Sequence, residues 1–80
     1  MKIPIPNYSK VIVSGSETGH GDQIGETTGY EIFSTDPSYY YYEIRLDNPK
    51  PGQSVWAYAK EDFVRLATES DQPGTKFSDN

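Results

Sequence analysis

The clearest pattern in the chain is a two-residue alternation from Tyr39 to Asp47. Tyr40, Tyr42, Ile44 and Leu46 fall on one side of it, and Tyr39, Tyr41, Glu43, Arg45 and Asp47 on the other. Successive side chains of a strand point to opposite faces, so this segment reads as a strand whose charge-free side is the core. Ser54-Val55-Trp56-Ala57-Tyr58-Ala59 alternates in the same way. The intervening Asn48-Pro49-Lys50-Pro51-Gly52-Gln53 holds two prolines, which exclude a helix or a central strand. Pairing the two strands as a hairpin with Asp47 opposite Ser54 turns Val55 and Ala57 inward beside Leu46 and Ile44. Trp56 and Tyr58 then lie outside, next to Arg45 and Glu43.

Shorter elements flank this hairpin. Lys10-Val11-Ile12-Val13 is a β-branched run stopped by Ser14-Gly15, and Gly29-Tyr30-Glu31-Ile32-Phe33 reads as the next strand, with a start as early as Ile24. Between them Ser16 to Gly29 is rich in Gly, Thr and acids, which predicts a long irregular loop or a twisted, bulged hairpin. Ser34-Thr35-Asp36-Pro37-Ser38 reads as a turn. After the Trp56 strand, Lys60 to Phe63 has room for one helical turn, and Val64-Arg65-Leu66 for a short closing strand. The organisation expected is an extended arm over residues 1–9, held straight by Pro4 and Pro6, a barrel over 10–67, and a flexible tail over 68–80.

This order of elements resembles the SH3-like small β-barrel over Tyr8 to Leu66, most of all in the stretch from Ser54 to Leu66. The resemblance implies an all-β fold of five strands with a single 3₁₀ turn before the last strand, where Phe63, Val64 and Leu66 close the core. The expected interior is Val11, Val13, Ile32, Tyr42, Ile44, Leu46, Val55, Ala57, Phe63 and Leu66. A five-stranded OB-type barrel is the rival, but it wants a helix between strands three and four, and the Pro49/Pro51 loop is too short for one. Plasmid-type dihydrofolate reductases share the SH3-like barrel and carry Val-Gln-Ile-Tyr on the fourth strand. Here Val55-Trp56-Ala57-Tyr58 keeps the Val and Tyr but lacks the Gln and Ile, so that activity is not carried over.

Composition narrows the function classes. Of 80 residues 34% are hydrophobic, against ~45–50% for ordinary globular chains on a count that includes Gly, so a thick α/β architecture is not expected. The 14% of aromatic residues supplies large area per buried side chain. The absence of cysteine removes disulfides, thiolate metal sites and cysteine nucleophiles. No apolar run is long enough to span a bilayer and the N-terminus has no signal-peptide core, which makes a cytoplasmic location the expectation. A net charge of −5 disfavours a general phosphate-binding surface.

No motif in the chain supports catalysis, and no cofactor or metal is expected. Gly19-His20-Gly21-Asp22 places a histidine and an acid between glycines, where nothing holds the geometry that acid–base chemistry needs; an exposed loop histidine is expected. The same glycines lack the Gly-Lys-Ser/Thr ending of a phosphate loop. What remains is the outer side of the hairpin, with Tyr39, Tyr41, Trp56, Tyr58 and Arg45. Tyr, Trp and Arg are enriched in binding hot spots, and a cluster of exposed aromatics points to a partner. Trp56 is the expected anchor, bordered by an acidic loop of Glu17, Asp22 and Glu26 that favours a basic or mixed-charge protein. The function expected is a non-catalytic interaction module: a small adaptor or accessory subunit, or a phage- or mobile-element-encoded inhibitor of a host protein. Homo-oligomers are compatible with it. The alternative is a nucleic-acid-related protein, either a KOW/Tudor-like binder or an acidic mimic.

Overall fold

The computed structural model describes residues 5–33, 40–69, 71–72 and 76–77. Five strands form one antiparallel sheet: β1 (Lys10–Val13), β2 (Gln23–Phe33), β3 (Tyr40–Leu46), β4 (Trp56–Lys60) and β5 (Val64–Leu66). Their order in space is β4-β3-β2-β1-β5, so the first four run as a meander and the last returns beside the first. A single helical turn, α1 (Gly15–Thr18), joins β1 to β2, and one 3₁₀ turn (Glu61–Phe63) precedes β5. The protein is all-β in class, as the alternation and turn signals predict.

The hairpin register is the one read from the sequence: Arg45 faces Trp56 and Ile44 faces Ala57. The Pro51-Gly52 corner permits it, with Gly52 at φ 82° and the Gln53 N–H bonded to the Lys50 carbonyl at 2.9 Å. On the charge-free side Tyr42, Ile44 and Leu46 pack with Val11, Val13, Ala57, Ala59 and Val64, and Ile5 of the arm lies against them. The described part of the arm is fastened to the sheet and turns at Asn7 and Tyr8, with Tyr8 at φ 60°, rather than running fully extended. The Tyr8 N–H donates to the Thr27 carbonyl at 3.0 Å, and the Ile5 N–H to Tyr42 Oη at 3.1 Å.

The Ser16–Gly29 stretch, expected as an irregular loop or a bulged hairpin, divides at Gln23: before it lie the α1 turn and bends, and from it runs β2, paired without a shift to β1. Its register against β3 shifts between Thr27 and Glu31, and Gly29 sits inside that irregularity at φ 90°. Gly25 is needed for a different reason. A Cβ there would stand 2.6 Å from Ile44 Cγ2 and 2.7 Å from the Arg45 carbonyl oxygen, so β2 approaches β3 more closely than any side chain permits.

The expected core needs three corrections. Phe63 is 37% exposed and Leu66 50%, while Val64 between them is buried. Val64 faces Val13, whereas Phe63 belongs to the 3₁₀ turn at the rim and Leu66, although paired with Val11, is the last residue of the edge strand β5. Val55 is half-buried, because it precedes the first paired residue of β4. The Ile32 side chain and the expected turn at Ser34–Ser38 lie outside the described residues. Two fully buried residues were not in the expected set, Ala59 and Ile12. Ile12 does not belong to the core cluster at all.

The segment after β5, expected as a flexible tail, carries specific bonds in its described part. Asp71 forms an ion pair with Arg65 at 3.1 Å, and the Phe77 N–H donates to Asp22 at 2.6 Å. No helix of the described residues is long and apolar enough to cross a membrane.

Candidate functional site

The outer side of the β3–β4 hairpin brings together most of the residues that the alternation singles out. Trp56 is 44% exposed and Tyr58 47%, one strand pleat apart on β4 at the end of the sheet. Arg45, cross-strand from Trp56, is exposed, and Tyr41, cross-strand from Lys60, is half-buried. Tyr39, expected in the same group, lies outside the described residues. Among the described residues, two large rings left this open at alternate positions of one strand are the most prominent apolar feature of this face.

A carboxylate on the neighbouring strand holds the Tyr58 ring. Tyr58 donates its hydroxyl to Glu43 Oε2 at 3.1 Å, while Thr28 donates to Oε1 of the same carboxylate at 2.8 Å. Glu43 thereby links β4, β3 and β2 through one side chain. The pairing of positions 43 and 58 follows from the hairpin register, so the sequence held the signal for it. At the start of β4 the Trp56 backbone N–H donates to Ser54 Oγ at 3.1 Å.

The acids expected to act as one loop are dispersed by the fold. Glu17 stands on α1, whose Ser14-x-x-Glu17 spacing is a helix-start signature that the sequence reading passed over. Ser14 caps the turn by accepting from the Ser16 N–H, but Glu17 reaches away from the turn to the Lys60 N–H at 2.8 Å. This brings α1 against the edge of β4. A shallow cavity of about 420 Å³ opens there, lined by Glu17, His20, Gln53, Trp56 and Tyr58 among others. Asp22 instead accepts from the Gly15 and Phe77 N–H groups, each at 2.6 Å, away from the rings. Those bonds, Phe77's foremost, hold its carboxyl below the usual carboxylate range. Glu26 lies within β2 on the outer side, between Arg45 of β3 and Lys10 of β1. Only Glu17 borders the aromatic pair as expected.

His20 is exposed in the turn after α1, where its N–H bonds to Thr18 Oγ1 at 3.1 Å. Among the described residues no three His, Cys, Asp or Glu side chains come together as a metal site. This face offers exposed rings, a cation at Arg45, and carboxylates held in place at Glu17 and Glu43. No family model, curated protein or solved structure matches the chain.

Proposed function

We propose that this domain is a non-catalytic protein-interaction module that binds through the outer side of the β3–β4 hairpin. The observation that carries the reading is the pair Trp56 and Tyr58, both nearly half exposed on a strand that ends the sheet. An indole ring removes a large apolar area from water on binding and loses few rotamers, which makes Trp56 the anchor. Arg45 and Tyr41 stand beside it, and Glu17 and Glu43 set a negative border. With a net charge of −5 for the chain, that border selects a protein partner of basic or mixed charge. The strand order and the 3₁₀ turn before β5 support the SH3-like resemblance. The same reading has the module acting in the cytoplasm, as an adaptor subunit or as an inhibitor of another protein.

The test is a comparison of wild type with W56A. A partner captured from a lysate by the wild-type chain and then purified is titrated against both proteins. Loss of about 2 kcal/mol or more in affinity with the fold intact supports the anchor role. Equal affinity for the two proteins, or binding to a labelled oligonucleotide that weakens steeply with salt, rejects it.

A further inference from the structure

Among the described residues β4 ends the sheet, so one of its edges faces no strand. The register says which backbone groups point there. The Leu46 N–H donates to the Val55 carbonyl at 2.7 Å. Bonded pairs recur at every second residue of an antiparallel ladder, so Ile44 with Ala57 and Tyr42 with Ala59 are bonded pairs too. The backbone groups of Trp56, Tyr58 and Lys60 therefore point away from β3, toward the outer edge. Such an edge is a template for a further strand, because its N–H and C=O groups are strong hydrogen-bonding groups.

Two of these N–H groups are closed by side chains. The Trp56 backbone N–H donates to Ser54 Oγ at 3.1 Å, and the Lys60 N–H to Glu17 Oε1 at 2.8 Å. The first cap is local, whereas the second is brought from α1. Between α1 and this edge lies the shallow cavity of about 420 Å³, with Glu17, Thr18 and His20 on one side and Ser54, Trp56 and Tyr58 on the other. Along residues 54–58 the turn thus stands across a cavity from the strand, and the Glu17 carboxylate bridges the gap at Lys60.

We propose that Glu17 and Ser54 guard the edge of β4, and that what they keep off is a second copy of this chain. The two capped residues stand symmetrically about Tyr58, the middle residue of the strand. A two-fold axis at Tyr58 exchanges them. Two β4 strands paired antiparallel about that axis set Trp56 of one copy against Lys60 of the other as a bonded pair. Each capped N–H then finds a carbonyl in place of its side-chain acceptor. Both side chains are on the outer side of β4, so each Lys60 ammonium comes beside the opposing Trp56 ring. The net charge of −5 per chain adds a repulsion that works with the caps against pairing. The edge is not the outer side that the function above uses, so failure of either reading leaves the other standing.

The test is sedimentation of the full chain at neutral pH, with circular dichroism to confirm folding. Wild type and E17Q, which retains an acceptor oxygen, are expected to be monomers. The double variant E17A/S54A is expected to dimerise about tenfold or more tightly than wild type. The chain has no cysteine, so Y58C supplies a single thiol at the axis. Opposed residues of a bonded pair have Cα atoms ~5.5 Å apart, within disulfide range. Under mild oxidation Y58C in the E17A/S54A background is expected to cross-link about tenfold or more faster than Y58C alone, whereas K50C shows no such gain. If the double variant fails to fold, E17A alone carries both measurements. Equal association of wild type and variant overturns the guard, as does a wild type already paired through Y58C. Dimerisation without the Y58C gain overturns the β4 edge as the pairing surface.

Discussion

The Glu17 carboxylate accepts the Lys60 N–H at 2.8 Å, across 43 positions of sequence. One side chain of a four-residue helical turn thereby reaches the last residue of β4, beside the strand that carries Trp56 and Tyr58. Replacing Glu17 by Ala removes that acceptor from a half-buried place. The expected cost is about 1–2 kcal/mol in chemical denaturation, with faster exchange of the Lys60 amide. E17Q, which retains an acceptor oxygen, recovers part of the loss.

Gly25 gives a sharper steric test. The atoms its added Cβ would meet are Ile44 Cγ2, a fully buried side chain, and the Arg45 backbone. Neither is the free end of a flexible chain. G25A is expected to lower stability by about 1–3 kcal/mol through overpacking, although Ala ordinarily costs less conformational entropy than Gly. Urea midpoints of the two proteins measure it.

The corrected core predicts unequal costs for two residues that both looked interior. I44A leaves a cavity in the packed layer and is expected to cost ~2–5 kcal/mol. F63A removes a ring that is more than a third exposed at the rim and is expected to cost about half as much or less. Comparable denaturation midpoints for the two variants contradict the assignment.

Trp56 is the only tryptophan, so its emission reports the binding face directly. At 44% exposure, it is expected to emit at long wavelength and to be quenched by iodide in the free protein. Partner binding then shifts the emission to the blue and blocks the quencher. Blue emission resistant to iodide in the free chain contradicts the exposed anchor.

Asp22 and Asp71 predict the acid limb of stability. Bonds from the Phe77 N–H to Asp22, and from the Arg65 guanidinium to Asp71, hold both carboxyls below their ordinary value of 3.8. The unfolded chain takes up those protons first as the pH falls. Their contribution is therefore complete above the ordinary value and erodes below it, toward the lower folded values. Denaturation midpoints followed downward from neutral pH should stay level until the ordinary carboxylate range and then fall. The double variant D22N/D71N should show a shallower fall there.

How much of this was written in the sequence depends on how local each cause is. The inward set Tyr42, Ile44 and Leu46 follows from alternation with no charge on one side, and the Pro51-Gly52 corner then fixes Arg45 opposite Trp56. The rim positions of Phe63 and Leu66 follow from where the layer ends, which hydrophobicity alone does not state. Glu17, Asp22 and Glu26 look alike in a Gly-rich stretch. They part company because the first accepts from the end of β4, the second accepts from the Gly15 and Phe77 N–H groups, and the third lies within β2. Burial of Ile12 is the least legible, since it stands on the side opposite the core cluster and one of its cross-strand neighbours, Arg65, lies more than fifty positions away.

The placement of β5 beside β1 sets the order in which the chain can assemble. The β2–β3–β4 meander is made from neighbours in sequence, whereas Val11 meets Leu66 and Val13 meets Val64 across more than fifty positions. Contacts of such separation are slow to form, because the loop they close must be ordered before they stabilise anything. On the ribosome β1 therefore waits with one edge open until residue 66 has cleared the exit tunnel. Any partner that meets the nascent chain before then meets a meander with an unpaired first strand, and the domain closes only when its two ends find each other.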